Sequence, residues 1–326
     1  MAHFMNNTQK VLELLSDSTN YLSGEKIASE VGISRTAVWK IVKNLQDLGY
    51  PIKSKMHSGY YYEDNNKLNE FIIKKNLPTN LKNIAFELHD SLNSTNIRAK
   101  EISASQVDSQ PLIIISDQQT GGYGRYGRSF SSPKTTGIYM SILLKTQSEE
   151  LNPGLLTTAT ALAVARTIEK NLGVATQIKW VNDVLVNQKK VVGILTEAVS
   201  DIESGSINQV IIGIGINYLS DISLFPPKIQ ERVGTLREYV EQSHLSRNYF
   251  IAQLLGEFFT LYSDYQSGDF IDEYKEKSYL IGKKVTITQG EKRVNGVVAD
   301  IDKKGRLVLQ DGTILYSGEV TKVRLA

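Results

Sequence analysis

Between Asp117 and Phe130 the chain reads Asp-Gln-Gln-Thr-Gly-Gly-Tyr-Gly-Arg-Tyr-Gly-Arg-Ser-Phe, with four glycines, two arginines and two tyrosines in one short stretch. Glycines let a backbone approach a ligand closely, while Arg125 and Arg128 carry planar cationic forks suited to phosphate or carboxylate. The chemistry expected here is anion binding. Downstream, Lys179-Trp180-Val181-Asn182-Asp183, Lys190-Val191-Val192-Gly193 and Gly213-Ile214-Gly215-Ile216-Asn217 add cations, a carboxylate and amides. No Gly-x-x-x-x-Gly-Lys-Ser/Thr occurs, and the Gly213 to Asn217 segment lacks the third glycine of a dinucleotide fingerprint, so a nucleotide would bind in some other way. His3, His57, His89 and His244 are scattered and cysteine is absent. Neither a zinc cluster nor a Ser-His triad, a cysteine nucleophile or a disulfide is signalled. No protein metal site is expected, and any Mg²⁺ would be carried by phosphates.

The elements that must position these groups read as α+β. Strands are expected at Ile84 to Leu88, Leu112 to Ser116, Ile138 to Leu144, Thr176 to Lys179, Val184 to Val186, Val191 to Ala198 and Val210 to Ile216. Helices are expected at Thr95 to Ala104, Gly154 to Leu172 and Arg247 to Tyr265. A tight Asn187-Gln188 turn joins two successive strands where a doubly wound fold would need a crossover helix, so the sheet is mixed. Beyond Tyr279, five short strands separated by Gln289-Gly290, Lys304-Gly305 and Asp311-Gly312 turns predict a small β-barrel.

The first sixty-odd residues form a separate unit. A short helix spans Thr8 to Leu15, Ser23 caps a helix from Gly24 to Val31 that Gly32 breaks, and Ser34 caps a longer one to about Leu48. Val38, Ile41, Val42, Leu45 and Leu48 make its apolar stripe. The runs Ile52-Lys53-Ser54-Lys55 and Tyr60-Tyr61-Tyr62 flank a turn and read as a wing. Helix, turn, helix and wing predict a winged helix that binds DNA through Ser34, Arg35, Thr36, Trp39, Lys40, Lys43, Lys53 and Lys55. From Arg35 to Lys55 five cations face the single acid Asp47, and phosphates are their natural partner. The alternative is a small helical domain with a solvated charged face. Domain boundaries are read as 1–66, 67–278 and 279–326, with a polar Asp64-Asn65-Asn66-Lys67 linker and a helix from Leu68 to Asn76 after the first.

Five segments in order make the chain resemble biotin protein ligases of the type that also act as biotin operon repressors. That family carries Ser-Thr-Asn after its first strand, here Ser94, Thr95 and Asn96. Its Gln before a Gly-Arg-Gly-Arg-x-Gly-Arg loop corresponds to Gln119 with Gly122, Gly124, Arg125, Gly127 and Arg128. Its Lys-Trp-Pro-Asn-Asp corresponds to Lys179, Trp180, Asn182 and Asp183, and Lys190, Gly193, Gly215 and Asn217 complete the set. Five short strings in register are specific where one alone is not. Tyr123 departs from the pattern in place of the loop's first arginine, Val181 in place of proline and Phe130 in place of tryptophan.

The resemblance implies an ATP-dependent ligase that activates biotin as biotinoyl-AMP and transfers it to a lysine of a biotin carboxyl carrier protein, an acetyl-CoA carboxylase subunit or another biotin-dependent carboxylase. It also implies a repressor of biotin genes with biotinoyl-AMP as corepressor, dimerising on ligand, and an SH3-like C-terminal domain. Biotin presents a ureido group at one end and a carboxylate at the other, so its pocket needs polar partners and an apolar channel. Ser94, Thr95, Asn96, Gln119, Gly122, Tyr123, Gly124, Arg125, Lys190, Gly193 and Gly215 are the implied biotin site. Arg125, Arg128, Phe130, Lys179, Trp180, Asn182 and Asn217 are the implied ATP and adenylate site, and Arg125, Arg128, Lys190 and Asp183 the catalytic set. Structural alternatives stay open for several: Ser94 and Thr95 as helix caps, Trp180 as core, Asp183 as a turn residue, Lys190 as a hairpin-edge charge. A lipoate ligase and a ligand-sensing repressor without transfer activity are the competing functions.

Composition fits these readings. At 326 residues and 41% hydrophobic, the chain can bury two or three cores, and a net charge of +2 confines any basic surface to a patch. No apolar run reaches membrane-spanning length, Met1 to Lys10 lacks the order of a signal peptide, and the expected location is cytoplasmic without membrane contact.

Overall fold

The computed structural model describes residues 6–64, 66–104, 110–145, 151–200 and 207–325. The chain divides into two compact units, residues 1–67 and residues 68–326.

In the first unit, helices α1 (Asn7–Asp17), α2 (Gly24–Val31) and α3 (Arg35–Asp47) precede a hairpin of strands β1 (Ile52–Lys55) and β2 (Gly59–Tyr62). The side chains of Asn6, Ser23 and Ser34 each accept a backbone N–H of the helix they open, which fixes all three starts. Gly32, at φ 76°, ends α2 in the left-handed conformation that disfavours a Cβ. Val11, Leu12, Leu15, Ile27, Val38, Val42 and Leu45 bury their side chains between the helices. Leu48, expected on the apolar stripe, is 64% exposed. The helix ends at Asp47, so the periodicity that would have turned Leu48 inward has already stopped. Antiparallel pairing sets Ile52 opposite Tyr62, and a bridge from Leu22 to Tyr60 fastens the wing to the chain before α2.

The second unit begins with α4 (Glu70–Asn76), which starts two residues later than expected because Asn69 caps it. Then follow β3 (Ala85–His89), α5 (Thr95–Ser103), β4 (Leu112–Ser116), β5 (Ile138–Lys145), α6 (Pro153–Leu172), β6 (Gln177–Lys179), β7 (Asp183–Val186), β8 (Lys189–Ser200) and β9 (Ile207–Ile216). These strands form one sheet in the order β3-β4-β5-β9-β8-β7-β6. Only β3 and β4 run parallel; the other neighbours are antiparallel. The Asn187-Gln188 turn joins β7 to β8 with both residues at positive φ, 49° and 62°, the two-residue geometry that matches strand twist.

Three short helices fall outside the sequence expectations: α7 (Pro227–Gln230), α8 (Arg237–Ser243) and α10 (Ile271–Glu276), none long enough to show an apolar period. Between the last two lies α9 (Arg247–Tyr262), which stops three residues early and gives way to a tight turn at Tyr265–Ser267. Helix α6 is buried almost all round, with Leu156, Leu162, Val164 and Ile168 fully inside, because it lies between the sheet and α9. Asn152 caps it, Pro153 opens it and Gly173 closes it at φ 64°.

The last strands, β10 (Lys283–Gln289), β11 (Lys292–Ile301), β12 (Leu307–Leu309), β13 (Ile314–Leu315) and β14 (Glu319–Leu325), make an antiparallel sheet in the order β13-β12-β11-β10-β14. Their Val285, Ile287, Val298, Ile301 and Leu307 belong to the same hydrophobic cluster as α6 and α9. This sheet is therefore packed into the second unit.

Candidate functional site

One face of β8 and β9 is left to a cleft of about 800 Å³, bounded by the start of α5, the Gly121 to Phe130 loop, residues 225–233 and the start of β14. Every residue expected at the biotin or adenylate site lines it except Gly122. Gly122 lies just beneath, where a Cβ would sit 2.7 Å from the Phe130 carbonyl oxygen.

The loop is an irregular hairpin. Gln119 bridges Ser132, Tyr123 bridges Ser129, and Gly124 N–H and Phe130 N–H donate to the Arg128 and Gly122 carbonyls at 2.8 Å. Its tip, Arg125–Gly127, is a single tight turn with Tyr126 and Gly127 at φ 58° and 69°. Phe130 folds back against β9, where Gly215 makes room; a Cβ there would meet the ring at 2.5 Å. The Phe130 ring stands edge-on to Tyr139 at 6.4 Å.

At one end of the cleft the polar side chains are joined in a chain. Gln119 Oε1 accepts from Thr95 N–H at 2.9 Å and Thr95 Oγ1 at 3.2 Å, while Gln119 Nε2 donates to Ser132 Oγ at 2.9 Å. Ser141 Oγ lies 2.7 Å from Thr95 Oγ1 and 2.6 Å from Asn96 Oδ1, and Asn96 Nδ2 donates to Glu197 at 2.7 Å. Ser94 precedes α5 in the capping position, yet its side chain makes no capping hydrogen bond. The capping alternative is therefore not what Ser94 does.

At the other end stand the cations. Lys190 Nζ is 2.6 Å from Asp183 Oδ1, an ion-pair distance outside hydrogen-bond alignment. A Cβ on Gly193 would lie 3.1 Å from the same ammonium, so β8 leaves that side of Lys190 open. Arg125 Nη1 donates to the Gly318 carbonyl at 3.1 Å and its guanidinium lies over Tyr126. Arg128 forms a two-pronged contact with the Glu319 carboxylate, Nη2 to Oε2 at 2.6 Å. Lys179 is partly buried and, among the described residues, pairs with no carboxylate; burial holds its ammonium below the usual lysine range, with Asp183 pulling it back up.

Several expected ligand residues do structural work. Trp180 lines the cleft but is 2% exposed, belongs to the core and donates its indole N–H to the Gly305 carbonyl at 2.9 Å. The Trp180-Val181 peptide is cis. Asn182 Nδ2 donates to the Ile194 carbonyl and Asn217 Nδ2 to the Gly234 carbonyl, bracing β8 and the segment that closes the cleft. Tyr123 lines the cleft with its hydroxyl bonded to Glu197 and Lys100. None of the sequence motifs contains Lys100, Ser132, Ser141, Glu197 or Glu319, whose side chains bond to the expected residues. Only Glu197 carried a signal, as a lone acid in the apolar run from Val191 to Val199.

In the first unit Ser34, Arg35, Thr36, Trp39, Lys40, Lys43, Lys53 and Lys55 are all exposed. Trp39 is 51% exposed with Lys43 over its ring at 5.3 Å. Lys53 differs from the others: Glu63 accepts its hydrogen bond at 2.7 Å.

A Biotin/lipoate A/B protein ligase family model matches residues 88–217, an HTH domain model residues 7–61 and a Biotin protein ligase C terminal domain model residues 280–323. The chain is 33% identical over 307 residues to the Bifunctional ligase/repressor BirA of Bacillus subtilis (strain 168), covering 92% of this chain and 93% of that protein. With the Bifunctional ligase/repressor BirA of Escherichia coli (strain K12) it shares 25% over 316 residues, 94% of this chain and 93% of that one. A solved biotin protein ligase from Aquifex aeolicus in complex with biotin and ATP superposes with a TM-score of 0.59 at 25% identity, over 74% of this chain and 99% of that chain.

Proposed function

Because the chain belongs to the family of bifunctional biotin protein ligases and repressors, we propose that it joins biotin to ATP and passes the biotinoyl group to a lysine of a biotin carrier protein. We further propose that biotinoyl-AMP is its corepressor at operator DNA. One cleft holds hydroxyl and amide partners at one end and four cations, Arg125, Arg128, Lys179 and Lys190, at the other, and that juxtaposition supports the reading most directly.

Biotin's ureido group would meet Ser94, Thr95 and Gln119, with Asn96 fixing their relay from beneath. Gly215 and Phe130 would border its apolar rings. In the first step a carboxylate oxygen bonds to the α-phosphorus as the bond to the β-phosphate oxygen breaks and pyrophosphate leaves. Two anions must come together for this, so cations placed where charge develops lower the barrier. Lys190 would turn from Asp183 toward the carboxylate and α-phosphate, and Arg125 and Arg128 would exchange Gly318 and Glu319 for phosphate oxygens. Lys179 would hold the remaining charge, while Asn182 and Asn217 shape the adenylate's wall. Among the described residues no group of three His, Asp or Glu side chains gathers to hold a metal. Mg²⁺ would enter on the nucleotide's phosphates and neutralise part of their charge.

In the second step the carrier's lysine amine attacks the acyl carbon, AMP leaves as the acyl-oxygen bond breaks, and the amine's proton passes to solvent or to AMP. The Gly121 to Arg128 loop would shield the adenylate from water meanwhile. Ligand-promoted pairing of two copies would match two operator half-sites and so link ligand to DNA binding.

The test is mass spectrometry of a biotin carrier domain incubated with the full-length chain, biotin and Mg-ATP. The expected result is the addition of one biotinoyl group. No mass increase would overturn the ligase reading, and an increase with lipoate in place of biotin would reassign the substrate.

A further inference from the structure

Tyr123 leaves the loop backbone and reaches two other pieces of chain. Its hydroxyl donates to Glu197 Oε2 on β8 at 2.9 Å and accepts from Lys100 Nζ on α5 at 3.2 Å. The same ammonium lies 5.6 Å from the centre of the tyrosine ring and donates to Glu197 Oε1 at 2.8 Å. Asn96 supplies a third donor to that carboxylate at 2.7 Å. The Glu197 side chain is only 22% exposed. Burial alone would raise its pKa, but the hydrogen bonds from Lys100, Asn96 and Tyr123 outweigh burial and hold it below the usual carboxylate range. A phenol donating to an ionised, half-buried carboxylate makes a charge-assisted bond, stronger than a neutral one.

Loop, helix and strand thus meet at a single carboxylate. Asn96, its buried partner, is also the first member of the relay through Ser141 and Thr95 to Gln119 and Ser132. Gly213 lets Asn96 reach both neighbours, since a Cβ there would lie 2.3 Å from Asn96 Oδ1. Ser132 Oγ donates in turn to the Phe130 carbonyl. The two ends of the glycine loop, Tyr123 and Phe130, are therefore tied to the same hydrogen-bonded chain that lines the polar end of the cleft.

We propose that Glu197 and Lys100 are positioning residues that clasp the glycine loop through Tyr123. The proposal rests on the ligase reading only for what the closed loop retains, namely biotinoyl-AMP. The clasp itself is a property of the protein alone.

Two measurements on the full-length protein separate these. The first needs no substrate: trypsin cleavage after Arg125 and Arg128, followed by mass spectrometry of the fragments. Tyr123→Phe removes one oxygen and keeps the ring, so the fold is preserved. It should raise the cleavage rate roughly tenfold, the size of one hydrogen bond to a charged group. Glu197→Gln, which removes the charge the phenol donates to, should act in the same direction, and the double variant should fall short of the product of the two single effects, because both weaken the Tyr123–Glu197 bond. Lys100→Met should also loosen the loop, and Lys100→Arg, which keeps cation and donor, should restore it. The second measurement is release of biotinoyl-AMP formed in place, which should quicken in the same order. Wild-type cleavage and release in Tyr123→Phe, or effects of Tyr123→Phe and Glu197→Gln that multiply, would overturn the clasp. If the wild-type protein forms no biotinoyl-AMP, the ligase reading fails and the proteolysis ranking alone decides the clasp.

Discussion

The cations of α3 and those of the cleft are held in opposite ways. On α3, Arg35, Lys40 and Lys43 project into solvent from a helix whose other face is core, and no carboxylate of the described residues takes them up. In the cleft, Lys190 faces Asp183, Arg128 faces Glu319 and Arg125 holds the Gly318 carbonyl. A surface that meets a polyanion gains from cations whose counterions are free to leave, so nothing in the protein needs to hold them. A site for a small charged ligand gains more from groups fixed in place beforehand, and internal partners fix them until the ligand takes over. A free cation in open solvent thus suits a polymer, and a paired one a partner exchange; Lys179, unpaired with a carboxylate among the described residues but partly buried, is the exception within the cleft.

The largest effect expected from this contrast is at Arg125. Arg125→Ala should slow adenylate formation by about 10² to 10³, the loss usual for one donor to developing charge. Pyrophosphate release measures it, and a rate near wild type would mean that the fork serves only the Gly318 carbonyl. The next effect lies on α3. Lys40→Ala should weaken DNA binding regardless of sequence and reduce the slope of log K against log salt by about one. Lys53→Ala should reduce it by clearly less, because Glu63 already compensates that charge. Fluorescence anisotropy across a salt series compares the two, and equal slopes for both variants would break the distinction between free and paired cations.

Both regions were legible in the sequence to different depths. Capping side chains at Ser23 and Ser34, and turn residues at Gly32 and Asn187-Gln188, act within a few positions of themselves, so local spacing locates the two helices they bound and the β7–β8 turn within a residue or two. The cleft motifs were visible because glycines and cations cluster along the chain. What the motifs could not display is pairing over long separations. Glu319 and Arg128 lie 191 positions apart and Lys100 and Glu197 97 apart. Trp180 illustrates the same limit, since its partner Gly305 sits 125 positions on in the last sheet. A one-dimensional reading therefore finds which groups are charged and misses which are already satisfied. Tyr123 shows the cost: as a lost cation it is a defect, whereas beside Lys100 it is one side of a clasp.

A smaller effect tests whether the cleft pairs are exchangeable. Arg128 is 64% exposed in its pair with Glu319, and exposed pairs contribute under about 1 kcal/mol. Glu319→Gln should therefore change unfolding free energy by less than that, which urea titration resolves. A loss above about 2 kcal/mol would mean that the pair is a structural brace and that an anion would not displace it.

The smallest expected signal concerns Lys179, the cleft cation that pairs with no carboxylate among the described residues. Burial lowers its pKa, partly offset by Asp183, and Lys190 and Arg232 add repulsion. The folded protein therefore releases this proton at a lower pH than an unfolded chain does. Between the two values the unfolded state holds more protons, so this lysine makes stability rise with pH through that alkaline window. A bound phosphate would reverse the local balance, because an anion beside the ammonium favours its charged form. Nucleotide binding in that window should then take up a fraction of a proton, while near neutral pH, where the ammonium is charged before and after, it should take up none through this group. Calorimetry of ATP binding in two buffers of different ionisation enthalpy reads the uptake directly. Lys179→Gln should abolish it, and an uptake that survives the substitution would assign the proton to Lys190 or the nucleotide and leave Lys179 outside the anion's reach.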